Sequence, residues 1–556
     1  MFTIYSLKHT QVAKPSDTNR EYEMMKDDVM RLRAQANRVA TGCLRAGRAL
    51  VLGLVMLGSA TGTALADRAV IAIGNAFDNL DPHQVFDVGR VASRLNLYDG
   101  LLRWEDNPPV LEPWLAESYE ISEDGKTYTF TLREGAIFHD GTPITAEDVA
   151  WSMDRILGIN KGAASLFVDV IEPGSTRALD ARTVQFNLSK PSAIFLATVP
   201  EIHVVNMDLV KEHIVDDDWG QAWLSGHEAG SGSYALKRYD PAIGFQGERF
   251  AEHFIPWGEK YLDEVEFRYV MELNSRILGL IAGDFQVTDA YMPYDQIKRL
   301  EESGTVDINE QESMRIFYGV IHNNRAPMND INFRKAINYA FDYDSFINDI
   351  NSGSVARDPL PMPGNIWGAP SDVEGYSYDI EKAKEYMAKV EEPVRELTIG
   401  TITGYSTTEE AAALLQAGLA ELGVPSKIVS DPFTVLNARS MDEQNTYDIY
   451  FTWKSTYYAD PHNWVGELYS SSTIGSRNNS YYSNPDVDKL LDRALISTSM
   501  EERRGLYEDA ARMVVDDAAG LFIYNTKWFG PTSKDLKGQR FSPIGNGLEA
   551  RWMYRE

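Results

Sequence analysis

The chain has 556 residues, 44% of them hydrophobic and 11% aromatic, and a formal charge of −29. That length exceeds one small core and predicts two or three lobes. The acidity excludes a clustered basic surface for phosphates, and with it a nucleic-acid partner. In chain order, the first 66 residues differ in character from the rest. Arg45 and Arg48 precede an apolar run over 49–57, and Ala64-Leu65-Ala66 offers small residues for cleavage, the pattern of a secretory signal peptide. The run is shorter than the roughly 20 apolar residues of a membrane span. Cleavage after Ala66 is expected, with Asp67 first in the mature chain; Met30, followed by Arg31 and Arg33, is an alternative start to Met1. Processing removes nine Lys/Arg and five Asp/Glu from 53 and 82, leaving a net −33, and it removes Cys43, the sole cysteine. A large exported chain without thiols fits a bacterial periplasm, where a big core makes disulfides unnecessary. The acidity favours cationic ligands at long range and equally fits a salty habitat.

RAVIAIG at 68–74 reads as a strand, NLDPHQ at 79–84 as a loop, and 91–101 as helical spacing through Leu95, Leu97 and Leu101. Asp124-Gly125 signals a hairpin, after which Tyr128, Phe130 and Leu132 alternate on one face. Thr145 and Asp148 form a capping box ahead of a helix with Val149, Met153 and Ile156 buried. Further on, 332–350 and 407–422 read as helices, the second capped by Thr407 or Thr408 and closed by Gly423. Strand-like runs at 397–402, 428–430, 449–453 and 521–524 alternate with them, and strands interleaved with helices predict α/β sheets covered on both faces.

The run LEPWLAESYEISEDGKTYTFTLREGAIFHDGTPITAEDVAWSMDRIL, residues 111–157, resembles the signature block of bacterial extracellular solute-binding proteins of family 5. These are the large periplasmic components of dipeptide, oligopeptide and nickel-type ABC importers. GSGSY at 230–234, YLDEVEFRYV at 261–270, Ala282-Gly283-Asp284, NNRAPMNDINFRKAINYAFD at 323–342 and YSNPDVDKLLDRAL at 482–495 resemble later family segments in the same order. The resemblance implies a periplasmic binding protein-like fold of class II, the large three-domain type, with two α/β lobes hinged by crossing strands and a small extra domain. The implied division is 67–110 for the first part of lobe I, 111–183 for the extra domain, 184–322 for the second part of lobe I, 323–520 for lobe II, and 521–556 returning to lobe I.

No catalytic centre is legible. There is no G-x-S-x-G elbow, and the eight mature histidines, His83, His139, His203, His213, His227, His253, His322 and His462, lack metal-ligand spacing, so no metal and no cofactor are expected. His322 reads as a strand-end residue. The aromatic stretch DIYFTWKSTYYADPHNW at 448–464 is the leading candidate for a ligand wall, with a cap over the core as the alternative. The resemblance places it after the family's ligand-facing strand. Trp453, Tyr457, Tyr458, Asp460 and Trp464 are therefore candidate contacts. So is Thr456, which stands where dipeptide and oligopeptide binders hold an amine-pairing aspartate; Asp460 is the local acid that could substitute. Asn323, Asn324 and Arg325 at a strand end, Phe86, Tyr291 and Ser231 complete the set. Ser231 and Ser233, with Gly230 and Gly232, otherwise make a tight turn. The expected role is that of a monomeric periplasmic receptor delivering a peptide or peptide-like solute to membrane permease subunits. An oligosaccharide, opine or metal chelate is the alternative cargo, and a secreted hydrolase the alternative class.

Overall fold

This computed structural model describes residues 67–84, 86–545 and 547–556. The signal-peptide expectation, with Met30 and Cys43, falls outside them. Ten strands run through the main sheet: β1 (Arg68–Ile73), β2 (Tyr234–Asp240), β3 (Gly244–Arg249), β4 (Glu264–Tyr269), β5 (Val287–Thr288), β6 (Val306–Ile321), β7 (Leu397–Ile402), β8 (Ser426–Asp431), β9 (Ile449–Lys454) and β10 (Gly520–Ser533). Their order is β8-β7-β9-β6-β10-β5-β1-β4-β3-β2, and Ala356–Arg357 adds a short eleventh strand to β10.

The sheet is two half-sheets joined by one long antiparallel pair. β9 reaches only the stretch of β6 from Ile316 to Ile321, while β5 touches β10 at Thr532. β6 and β10 alone run through both halves, from the pair Val306–Ser533 to the pair Val320–Gly520. Their ladder breaks between Glu312 and Ile316, where Ser313, Met314 and Arg315 stand opposite Thr526. Such a bulge bends and twists a strand locally. Ser313 holds it in shape: its hydroxyl donates to the Thr526 carbonyl, and its carbonyl accepts from Asn525 Nδ2 at 2.8 Å.

Each half-sheet has its own core. Ala69, Ile71, Tyr234, Phe245 and Phe267 fill one. Phe317, Phe333, Ile399, Leu415 and Phe451 lie on one face of the other half, with Tyr318, Tyr450, Trp464 and Val514 on its second face. The signature block and the residues that follow it build a separate four-stranded sheet from Ala116–Ile121, Thr127–Leu132, Arg177–Ala178 and Thr183–Asn187. The helix Ala146–Ile159 covers it, and the Thr145–Asp148 capping box forms as the spacing implied. The loop at 79–84 is anchored to that helix. Arg155 pairs with both oxygens of the fully buried Asp81 carboxylate at 2.9 and 2.6 Å and donates to His83 Nδ1 at 2.9 Å.

Several elements differ from the pattern-based expectation. The helix at 91–101 stops at Leu97, with Tyr98 extended. The helix expected over 332–350 ends at Ala340, because Phe341 is extended and the Asp342 side chain caps a new turn at Ser345. Ser406–Glu421 starts without a side-chain cap; Thr408 instead accepts from Ile402 N at 3.0 Å, tying the helix to the end of β7. Gly423, at φ +72°, does close that segment. The strand expected over 521–524 extends to Ser533, because pairing with β6 holds Asn525, Gly530 and Pro531 extended against their local preference.

Candidate functional site

β9 alternates its side chains between two faces. Ile449 and Phe451 enter the core beneath Phe341 and Phe317, and Trp453 continues that face past the edge of the core, half-buried. Its ring lies 4.9 Å from Phe317, its register partner, and 5.8 Å from Tyr405. Arg315 lies two residues before Phe317, in the bulge. Its guanidinium sits over the Trp453 ring at 4.9 Å and over the Tyr291 ring at 4.8 Å. Tyr291 follows β5 and belongs to the other half-sheet, so Arg315 bridges an aromatic ring from each half at the point where the halves join. Burial lowers its pKa from the usual arginine value, with only the phenols of Tyr291, Tyr524 and Tyr405 acting against that.

The opposite face of the same strand end carries a buried charge cluster. Lys454 Nζ is 2.6 Å from Glu467 Oε2, and the Tyr458 hydroxyl donates to Glu467 Oε1 at 3.0 Å. Burial alone would raise the Glu467 carboxyl, but Lys454 and Arg477 outweigh it and hold the group below the usual range. Lys454 and Arg477 also lie over the Tyr457 ring, at 4.9 and 5.3 Å. Tyr457 in turn packs on Phe86 at 4.8 Å. Phe86 packs against the core of the signature block, so this second ring pair also spans two parts of the molecule.

Of the residues singled out by sequence, Trp453 and Tyr291 thus meet around Arg315, and Phe86 meets Tyr457. The others are engaged in holding the fold. Trp464 is 0% exposed in the core of one half-sheet, and Tyr458 is buried on Glu467. Asp460 caps His462 N at 3.0 Å and pairs with Arg503 at 2.7 Å, so its carboxylate already has a buried cation as partner. Thr456 donates to the Met314 carbonyl at 3.0 Å, which ties the loop to the bulge. Ser231 is fully buried and donates to Asp99 at 2.7 Å; a Cβ on Gly230 would run into the Leu97 carbonyl, and one on Gly232 into that of Asn96. Asn323 binds the Ile321 and Ala519 carbonyls, Asn324 donates to Glu443, and Arg325 pairs with Asp448 at 3.3 Å. These three lie at the other end of the β6–β9 pair, separated from Trp453 by at least four strand residues, roughly 13 Å. They share no site with it. His322 stacks on Tyr481 and bonds to the Glu443 carbonyl at 3.2 Å, as a strand-end histidine would.

Arg315, Tyr405, Tyr524 and Lys454 escaped the sequence reading. A signal was present for two of them: Arg315 in SMRIFY and Lys454 in YFTWK are charges inside otherwise apolar strands. Among the described residues, no group of three or more His, Cys, Asp or Glu is placed to hold a metal ion, and no helix is long and apolar enough to cross a membrane.

Comparison with known proteins agrees with this architecture. The sequence model described as "Bacterial extracellular solute-binding proteins, family 5 Middle" matches residues 110–476, more than half of the chain. The "Probable D,D-dipeptide-binding periplasmic protein DdpA" of Escherichia coli (strain K12) is 32% identical over 512 residues, covering 89% of this chain and 96% of that protein. The "Dipeptide-binding protein" of the same strain is 27% identical, covering 83% and 90%. Among solved structures, the periplasmic binding protein DppA from Helicobacter pylori, in complex with peptide STSA, superimposes with a TM-score of 0.75 at 24% identity, covering 88% of this chain and 98% of that one. CtaP from Listeria monocytogenes gives a TM-score of 0.78 at 24% identity, covering 88% and 99%. The chain belongs to the bacterial extracellular solute-binding proteins of family 5.

Proposed function

We propose that this family 5 solute-binding protein closes its two half-sheets on a peptide or peptide-like solute and delivers it to the permease subunits of an ABC importer. The observation that carries the reading is the meeting of Tyr291 and Trp453, one from each half, over the bulge where β6 and β10 join the halves. A solute touching both rings binds the closed form better than the open one and shifts the population toward it. The peptide class is supported by relatives named for dipeptides and D,D-dipeptides. In this reading, residues 67–110, 184–322 and 521–556 form the first lobe, 323–520 the second and 111–183 the extra domain, except that Thr183–Asn187 goes with the extra domain's sheet and that Ile316–Ile321 and 521–525 cross into the second half-sheet. The protein acts as a periplasmic monomer after loss of residues 1–66. Trp453, Tyr457, Phe86 and Tyr291 line the cleft, and the remaining sequence candidates support its walls.

The test is a thermal-unfolding screen of the purified protein against short peptides, oligosaccharides, opines and metal chelates. A ligand present at 100 times its Kd stabilises by about 2.7 kcal/mol. Peptides are expected to raise the midpoint. A shift confined to sugars or chelates would replace the peptide reading, and turnover of a chromogenic ester or glycoside without any shift would replace the receptor reading.

A further inference from the structure

Among the described residues the buried arginines have polar partners, whereas the half-buried Arg315 has only ring faces. Arg155 is paired with Asp81, Arg503 with Asp460 and Arg276 with Asp289, while Arg334 and Arg357 donate to main-chain carbonyls. Among the described residues, Arg315 forms no ion pair, its side chain donates no hydrogen bond, and its Nε is buried without an acceptor. Its neighbours are ring faces, which attract a cation but leave guanidinium N–H donors unused. A half-buried cation held this way loses hydration without gaining a counter-ion, an arrangement that costs stability. It sits at the join of the two half-sheets, beside an aromatic ring from each.

We propose that Arg315 takes a carboxylate of the solute, so that the cargo of this protein is a free acid and the ion pair forms where the halves close. The inference rests on the cleft reading above and narrows it. A guanidinium matches a carboxylate with two parallel N–H···O bonds, a geometry that lysine cannot supply. The chain's overall acidity does not oppose this, because exposed charges farther off than a Debye length of about 8 Å are largely screened, whereas Arg315 would touch its ligand.

The experiment uses the intact purified protein and a panel of di- to tetrapeptides, each as free acid and as C-terminal amide, with and without Asp or Glu side chains. Carboxylate-bearing opines and neutral oligosaccharides complete it. Free acids are expected to bind and their amides to bind at least a hundredfold more weakly; rescue of the amides by an Asp or Glu side chain would identify a side-chain carboxylate as the group held. R315Q is expected to lose at least a hundredfold for every acid, with R315K intermediate. Without ligand, R315M is expected to melt a few degrees above the parent, because it removes an uncompensated charge while keeping the stem that packs on the rings. Opines binding through Arg315 with no peptide bound would support the carboxylate assignment and refute the peptide reading. Amides binding as well as acids, R315Q binding at parental affinity, or R315M melting below the parent would each overturn the assignment.

Discussion

Trp453 near the end of β9 and Asp460 in the loop that follows stand close in the chain, and truncation separates their roles. Trp453→Ala removes a half-buried ring at the core edge. It is expected to abolish or strongly weaken solute binding in calorimetry while the unfolding midpoint changes little. Asp460→Ala strands Arg503 in the interior, and removing one member of a buried pair costs about 3–5 kcal/mol; its signature is a large fall in the midpoint. The reverse pattern would place Asp460 in the site and Trp453 in the frame. Asp358 supplies a pH effect. Burial lifts its carboxyl to about 6, against donors from Leu360 N and Gly364 N that favour the charged form. The folded state therefore binds this proton more tightly than the unfolded chain, so stability declines as pH rises from about 4 to 6 and stays lower above that, by about 3 kcal/mol. Asp358→Asn cannot ionise and is expected to flatten that part of the profile, read as the difference from the parent in melts between pH 4 and 7. At this scale the sequence revealed ring types but not their partners. Trp453 and Trp464 look alike in the chain, and only packing shows that one reaches the join of the half-sheets while the other is sealed inside.

Elements were more legible than residues. Capping boxes, hairpin turns and alternating strands are local chemistry, so the Thr145–Asp148 cap and the β9 alternation were readable directly. What local pattern could not supply was the reach of β10, whose second half carries Asn525, Gly530 and Pro531 and is held straight by a partner some two hundred residues earlier. The loop at 79–84 is a similar case. It reads as polar connection, yet Asp81 and His83 clamp Arg155 of the Ala146–Ile159 helix without access to water. Arg155→Met is expected to lower stability by about 3–5 kcal/mol, since Asp81 then remains buried and unpaired. The double variant with Asp81→Leu should recover much of that loss in denaturant titrations. No recovery would mean that the helix and the loop are not coupled through this pair.

Closure should be measurable on the whole molecule through the second ring pair. Phe86→Ala removes the ring that packs on Tyr457. An aromatic pair is worth about 0.5–1.5 kcal/mol, so a two- to tenfold loss of affinity with an unchanged unfolding midpoint is expected if the contact belongs to the closed state. The first half-sheet also depends on the end of the chain. Asn96 binds the main chain at Leu548 and Ala550, Leu536–Lys537 pairs with Tyr554–Arg555, and Leu536, Leu548 and Met553 lie in the same core as Ile71 and Phe267. That has a consequence for the order in which the protein can take shape. β1 pairs with β4 and β5, both well before β10, yet the core on its face draws on residues from the far end of the chain. Pairing of β1 can therefore precede the packing of its face, which is complete only once Leu536, Leu548 and Met553 have joined Ile71 and Phe267.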